Sequence, residues 1–103
     1  MTFNEILATL PAIDGLTGLD VMNGEQLVHH IPAIQGKLGS LRLYNALAAQ
    51  FDGQLNAKAA QQGLQWFAEH VQDARVNPGK HPNIDLLFHV VDQDLSYQLV
   101  VKR

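Results

Sequence analysis

A chain of 103 residues, 47% hydrophobic and 17% charged, holds apolar material for one core and too little length for two. Residues 1–103 are therefore expected to form a single domain that buries roughly two-thirds of its unfolded surface. Seven lysines and arginines, scattered among ten carboxylates for a net charge of −3, exclude the basic stripe of a general nucleic-acid binder, and the lack of cysteine excludes disulfides, thiolate nucleophiles and cysteine-based zinc sites.

The opening MTFNEILATLP reads as a short helix: Thr2 and Glu5 stand at capping-box spacing, Phe3, Ile6, Leu7 and Leu10 share a face, and Pro11 stops it. It has no basic n-region, and the longest near-apolar run, LLFHVV, falls far short of the ~20 residues of a membrane span. A cytoplasmic address without a membrane partner is expected; small secreted domains more often carry disulfides.

In LTGLDVMNGEQLVHHI, strands are predicted near 16–22 and 26–31 around Asn23-Gly24, a dipeptide suited to a tight hairpin, with Pro32 ending the second. After the loop AIQGKLGS, Ser40 is the natural N-cap of a helix placing Leu43, Tyr44, Leu47 and Phe51 on one face, and Gly53 supplies its left-handed exit. Past Asn56 a stripe of Ala57, Ala60, Leu64, Phe67, Val71 and Ala74 predicts one long helix ending at Asn77-Pro78-Gly79. Asn83 then reads as the N-cap of a helix burying Ile84, Leu87, Phe88 and Val91, with a strand across DQD as the competing reading. The tail LSYQLVVKR alternates as a strand. The sum is an α+β fold: a small antiparallel sheet, made from the hairpin near 16–31 and a C-terminal strand near 95–102, with about four helices packed mainly on one face.

Residues that carry chemistry are few. His29, His30, His70, His81 and His89 lack metal-ligand spacing, and His29 and His30, adjacent on a strand, must point to opposite faces, so no metal site is expected. Glu69 and His70 are neighbours on the predicted long helix, where side chains diverge, and read as a solvated face. Ser40 and Ser96 lack a nucleophile-elbow context, Asp92 and Asp94 read as a turn, and Trp66 stands at the margin of the apolar stripe as core cover or a partner-facing anchor. No cofactor fingerprint is present.

Two loops are less easily absorbed. In QGKLGSLRLY, glycines and a helix start bring Lys37, Gly39, Ser40 and Arg42 together as a weak anion-site signal, without P-loop spacing. In NPGKHPNID the prolines, Gly79 and Asn83 have duties in chain geometry, whereas Lys80 and His81 have none. A solvated turn explains them, and binding is the alternative.

The stretches EILATLPAIDGL, GSLRLYNALAAQFDG and AEHVQDARVNPGKHPNIDLL, above all ARVNPGKHPNID, resemble a family of small bacterial proteins, domain-of-unknown-function family 2322, over nearly the whole chain. The resemblance implies a bacterial, single-domain, cytoplasmic protein and assigns no activity, ligand or catalytic residue. By subtraction the chain reads as a non-enzymatic binding or regulatory module acting through protein contacts, with a homodimer as one form. The rival is a small enzyme or ligand-binding protein whose phosphate or carboxylate pocket joins the Gly36–Arg42 segment to Arg75, Lys80 and His81; it requires the two loops to converge.

Overall fold

The computed structural model describes residues 1–103. Thr2 and Glu5 close the expected capping box, the Glu5 carboxylate accepting the Thr2 N–H at 2.9 Å and the Thr2 hydroxyl accepting the Glu5 N–H at 3.3 Å. These two bonds satisfy donors that helix α1 (Phe3–Leu7) would otherwise leave orphaned.

Strands β1 (Gly18–Asn23) and β2 (Gln26–Pro32) form the hairpin. Asn23 pairs with Gln26, so the loop is Gly24-Glu25, one residue later than the dipeptide indicates. Gly24 has φ +62° while Glu25 stays at negative φ, the sign pattern of a type II′ turn. Strand β3 (Gln54–Leu55) is a two-residue addition with no sequence signature, and β4 (Tyr97–Lys102) is the predicted C-terminal strand. All neighbours are antiparallel, in the order β2-β1-β4-β3. Leu19, Val21, Ile31, Leu55 and Leu99 are buried on one face; Asp20, on the other, accepts from His30 at 2.6 Å and faces Lys102 at 3.7 Å.

The helices lie over the apolar face. Helix α2 (Leu38–Gln50) buries Leu41, Leu43, Tyr44, Ala46 and Leu47 against the sheet and leaves through the positive-φ pair Asp52 and Gly53, as expected of Gly53. Helix α3 (Ala57–Phe67) is capped by Asn56, whose Oδ1 accepts the Ala59 N–H at 3.0 Å. Its Gly63 has a packing reason: a Cβ there would stand 2.8 Å from Leu87 Cδ1 and 3.0 Å from Leu47 Cδ1, closer than carbon atoms pack. Helix α5 (Pro82–Gln93) buries Ile84, Leu87 and Val90, so the strand alternative for this segment is excluded. Trp66 packs against the core as cover. No helix is long and apolar enough to cross a membrane.

The single long helix of the sequence reading is two. α3 stops at Phe67, and α4 (His70–Val76) starts on a new axis after Ala68, whose φ +53° and ψ −119° suit glycine rather than an L side chain. The apolar stripe hid the break because no glycine or proline marks it. Ala68→Gly is expected to stabilise the protein by about 1 kcal/mol, since the strain relieved exceeds the flexibility added to the unfolded chain. Urea unfolding checks this, and a lower midpoint would show that the alanine is unstrained.

Candidate functional site

Helix α2 begins earlier than its sequence indicates. Gly36, at φ +89°, reverses the chain and makes Lys37 the N-cap, so Ser40 is not the cap but lies inside the first turn. Lys37 has no side-chain acceptor to offer, and the Leu38, Gly39 and Ser40 amides find no partner in the chain. The Phe3 ring packs over Gly39, 3.2 Å from where a Cβ would stand, so a larger residue there would displace α1.

The start of α5 also differs from expectation. His81 takes the N-cap position and Pro82 the first helical one, where its missing N–H costs nothing. Asn83 is not a cap but a buried polar residue. Its Oδ1 accepts Nε2–H of His29 at 2.6 Å, and its carbonyl accepts the Tyr44 hydroxyl at 2.6 Å. Burial pushes the Tyr44 phenol far above its usual range, so it stays a donor at all physiological pH. No side chain caps α5; Asp85 in its first turn instead accepts the N–H of Gly79, itself at φ +90°, and so braces the turn that leads into the helix.

The Ala68 turn supplies the third wall. It places His70 at the first position of α4, edge-on to Phe3 at 5.0 Å and 6.0 Å from the His81 ring, while Phe3 stacks on Phe67 at 5.4 Å. Glu69 accepts the Phe3 N–H at 2.8 Å and so ties α1 to this corner; that bond lowers the Glu69 pKa. One turn on, Asp73 Oδ2 accepts from His81 Nε2 at 2.6 Å and Lys80 Nζ at 3.0 Å, and its Oδ1 accepts from Asn77 at 3.0 Å. The His81 bond first, and Lys80 second, lower the Asp73 pKa from 3.8 to about 2.

Between these walls lies an open cleft of about 350 Å³. Both loops singled out in the sequence reach it: Lys37, Gly39 and Ser40 from one side, Lys80 and His81 from the other, with His70 between. Arg42 and Arg75 do not. Arg42 donates to the carbonyls of Leu10 at 2.8 Å and Pro11 at 3.2 Å, fixing the loop after α1, and Arg75 stacks on Phe88 at 4.4 Å. No carboxylate lines the cleft, and no group of three His, Asp or Glu side chains is placed to hold a metal ion.

The segments that frame it include ARVNPGKHPNID. The chain belongs to the DUF2322 family. The family model, described as an uncharacterized protein conserved in bacteria, matches residues 3–101. No curated protein and no solved structure matches the chain. In this DUF2322 protein the residues that sequence reading missed are Phe3, His70 and Asp73. Phe3 looked like one more position of an apolar face, and the other two depend on the Ala68 turn, which no local signal marks.

Two outcomes are expected. Asn83→Ala should cost about 1–3 kcal/mol, because it strands the His29 donor in a partly buried position; a loss under about 0.5 kcal/mol in urea unfolding would show that the bond carries no weight. The Asp73 carboxyl, followed by ¹³C NMR, should titrate near pH 2 and move back toward 3.8 in His81→Ala. Since the folded pKa is the lower one, the stabilisation from Asp73 is complete above pH 3.8 and is lost as the pH falls through about 2. An unchanged Asp73 midpoint in His81→Ala would assign the shift to Lys80.

Proposed function

We propose that this protein is a small bacterial cytoplasmic binding protein whose cleft takes an anionic ligand. One observation carries the reading: in a chain of net charge −3, the cleft is lined by Lys37, Lys80, His70 and His81 and by no carboxylate. The nearby acids face donors rather than the open space: Glu69 holds Phe3, Asp85 holds Gly79, and Asp73 holds His81 and Lys80, offsetting part of their charge and leaving Lys37 uncompensated. The starts of α2 and α5 open onto the same space, and both helices have their positive ends there. Its volume lies in the range of small-molecule sites.

Sulfate at ten times its Kd should stabilise the fold by about 1.4 kcal/mol through linkage, or roughly 5–10 °C in Tm for a domain of this size. Lys37→Ala combined with Lys80→Ala should remove that shift, leaving only the small general effect of sulfate on burial. Arg42→Ala should retain it relative to its own baseline. Equal shifts in parent and double variant, or none beyond a chloride control, would end the anion reading.

A second reading, contact with another protein or a second copy, draws on a different surface. The edge strand β2 exposes Leu27 and Val28, and the uncovered face of β4 exposes Val100. Light scattering at high micromolar concentration distinguishes a dimer from the 11.4 kDa monomer.

A further inference from the structure

We infer that the cleft takes an organic carboxylate with an apolar body rather than a bare inorganic anion; the inference rests on the anion reading above and specifies its ligand. A sulfate or phosphate ion would leave most of the 350 Å³ to water, whereas Phe3 and Leu38 put apolar surface beside the basic groups in an otherwise mixed lining. Phe3 and Phe67 stack on one side, and Leu38 and Ile84 stand at the two helix starts. Leu38 is informative because of its position. It is 46% exposed, contributes nothing to the buried core cluster, and yet lies in the first turn of α2 next to Lys37 and the three unpaired amides.

A polar residue would serve an exposed first-turn position at least as well. An exposed leucine directly beside anion-binding groups is what a ligand with a charged head and an apolar tail requires: the head meets the amides, Lys37 and Lys80, and the tail covers Leu38 and the Phe3 ring. Phe3 belongs to a helix with no fully buried residue; its ring packs on the core through Phe67 and at the same time forms part of the cleft wall.

The experiment is a calorimetric titration at constant ionic strength with acetate, hexanoate, benzoate and inorganic phosphate, on the parent protein, Leu38→Ser and Lys37→Ala. Hexanoate and benzoate should bind about tenfold or more tighter than acetate and phosphate, as expected for burying several carbons. Leu38→Ser should erase most of that advantage while leaving acetate unchanged, and Lys37→Ala should weaken all four probes. If phosphate or acetate binds as tightly as hexanoate in the parent, the apolar part of the inference is wrong and the anion reading stands. If no probe binds, both fall. If hexanoate binds the parent and both variants equally, its site is elsewhere and the assignment to this cleft is overturned.

Discussion

Asn83 is held from two sides, by His29 of the sheet through its side chain and by Tyr44 of α2 through its carbonyl. It is the one buried polar residue of the protein, and a buried amide is tolerated only where its hydrogen bonds are made. Those bonds set where α5 begins relative to both the sheet edge and the middle of α2. Apolar contacts among Leu43, Leu47, Gly63 and Leu87 lock α2, α3 and α5 together by close packing. The Asn83 bonds add direction to that packing and tie the α5 start to both the sheet and α2. The mouth of the cleft follows, because Lys80, His81 and Pro82 immediately precede Asn83 in the chain.

The electrostatics of the cleft then follow from which groups have partners. The carboxylates of the surrounding elements are occupied by N–H donors, while the amides at the start of α2 are free of acceptors. Asp73 has a double part: it holds His81 and Lys80 in one orientation, and it offsets part of their charge. Lys37 has no such partner, so it contributes the uncompensated charge at the cleft.

Most of the fold could be read from local chemistry, since the signals are local. Thr2 and Glu5, the hairpin glycine, Gly53 and the alternation of Tyr97, Leu99 and Val101 each act within a few residues of themselves. The failures came where the surrounding structure overruled a residue's own preference. Ser40 and Asn83 are good N-caps, but the Gly36 turn starts α2 before Ser40, and Asn83 is claimed by His29 and Tyr44. Ala68 is a good helix former in a continuous stripe, and it adopts a glycine-like conformation all the same. The two loops of the site were visible as glycine, proline and lysine clusters; their convergence, and the absence of Arg42 and Arg75 from it, depended on tertiary contacts that no spacing encodes. His70 and Asp73 were invisible for the same reason as the Ala68 turn.

The central claim is that two helix starts, fixed by Asn83, form one cationic site. A ¹H–¹⁵N NMR titration with a carboxylate tests it most directly. The account predicts that the amides of Leu38, Gly39, Ser40 and Asn83 shift together and saturate with a single Kd, while those of α3 stay still. Shifts that never saturate, or that saturate at α2 without Asn83, would contradict it.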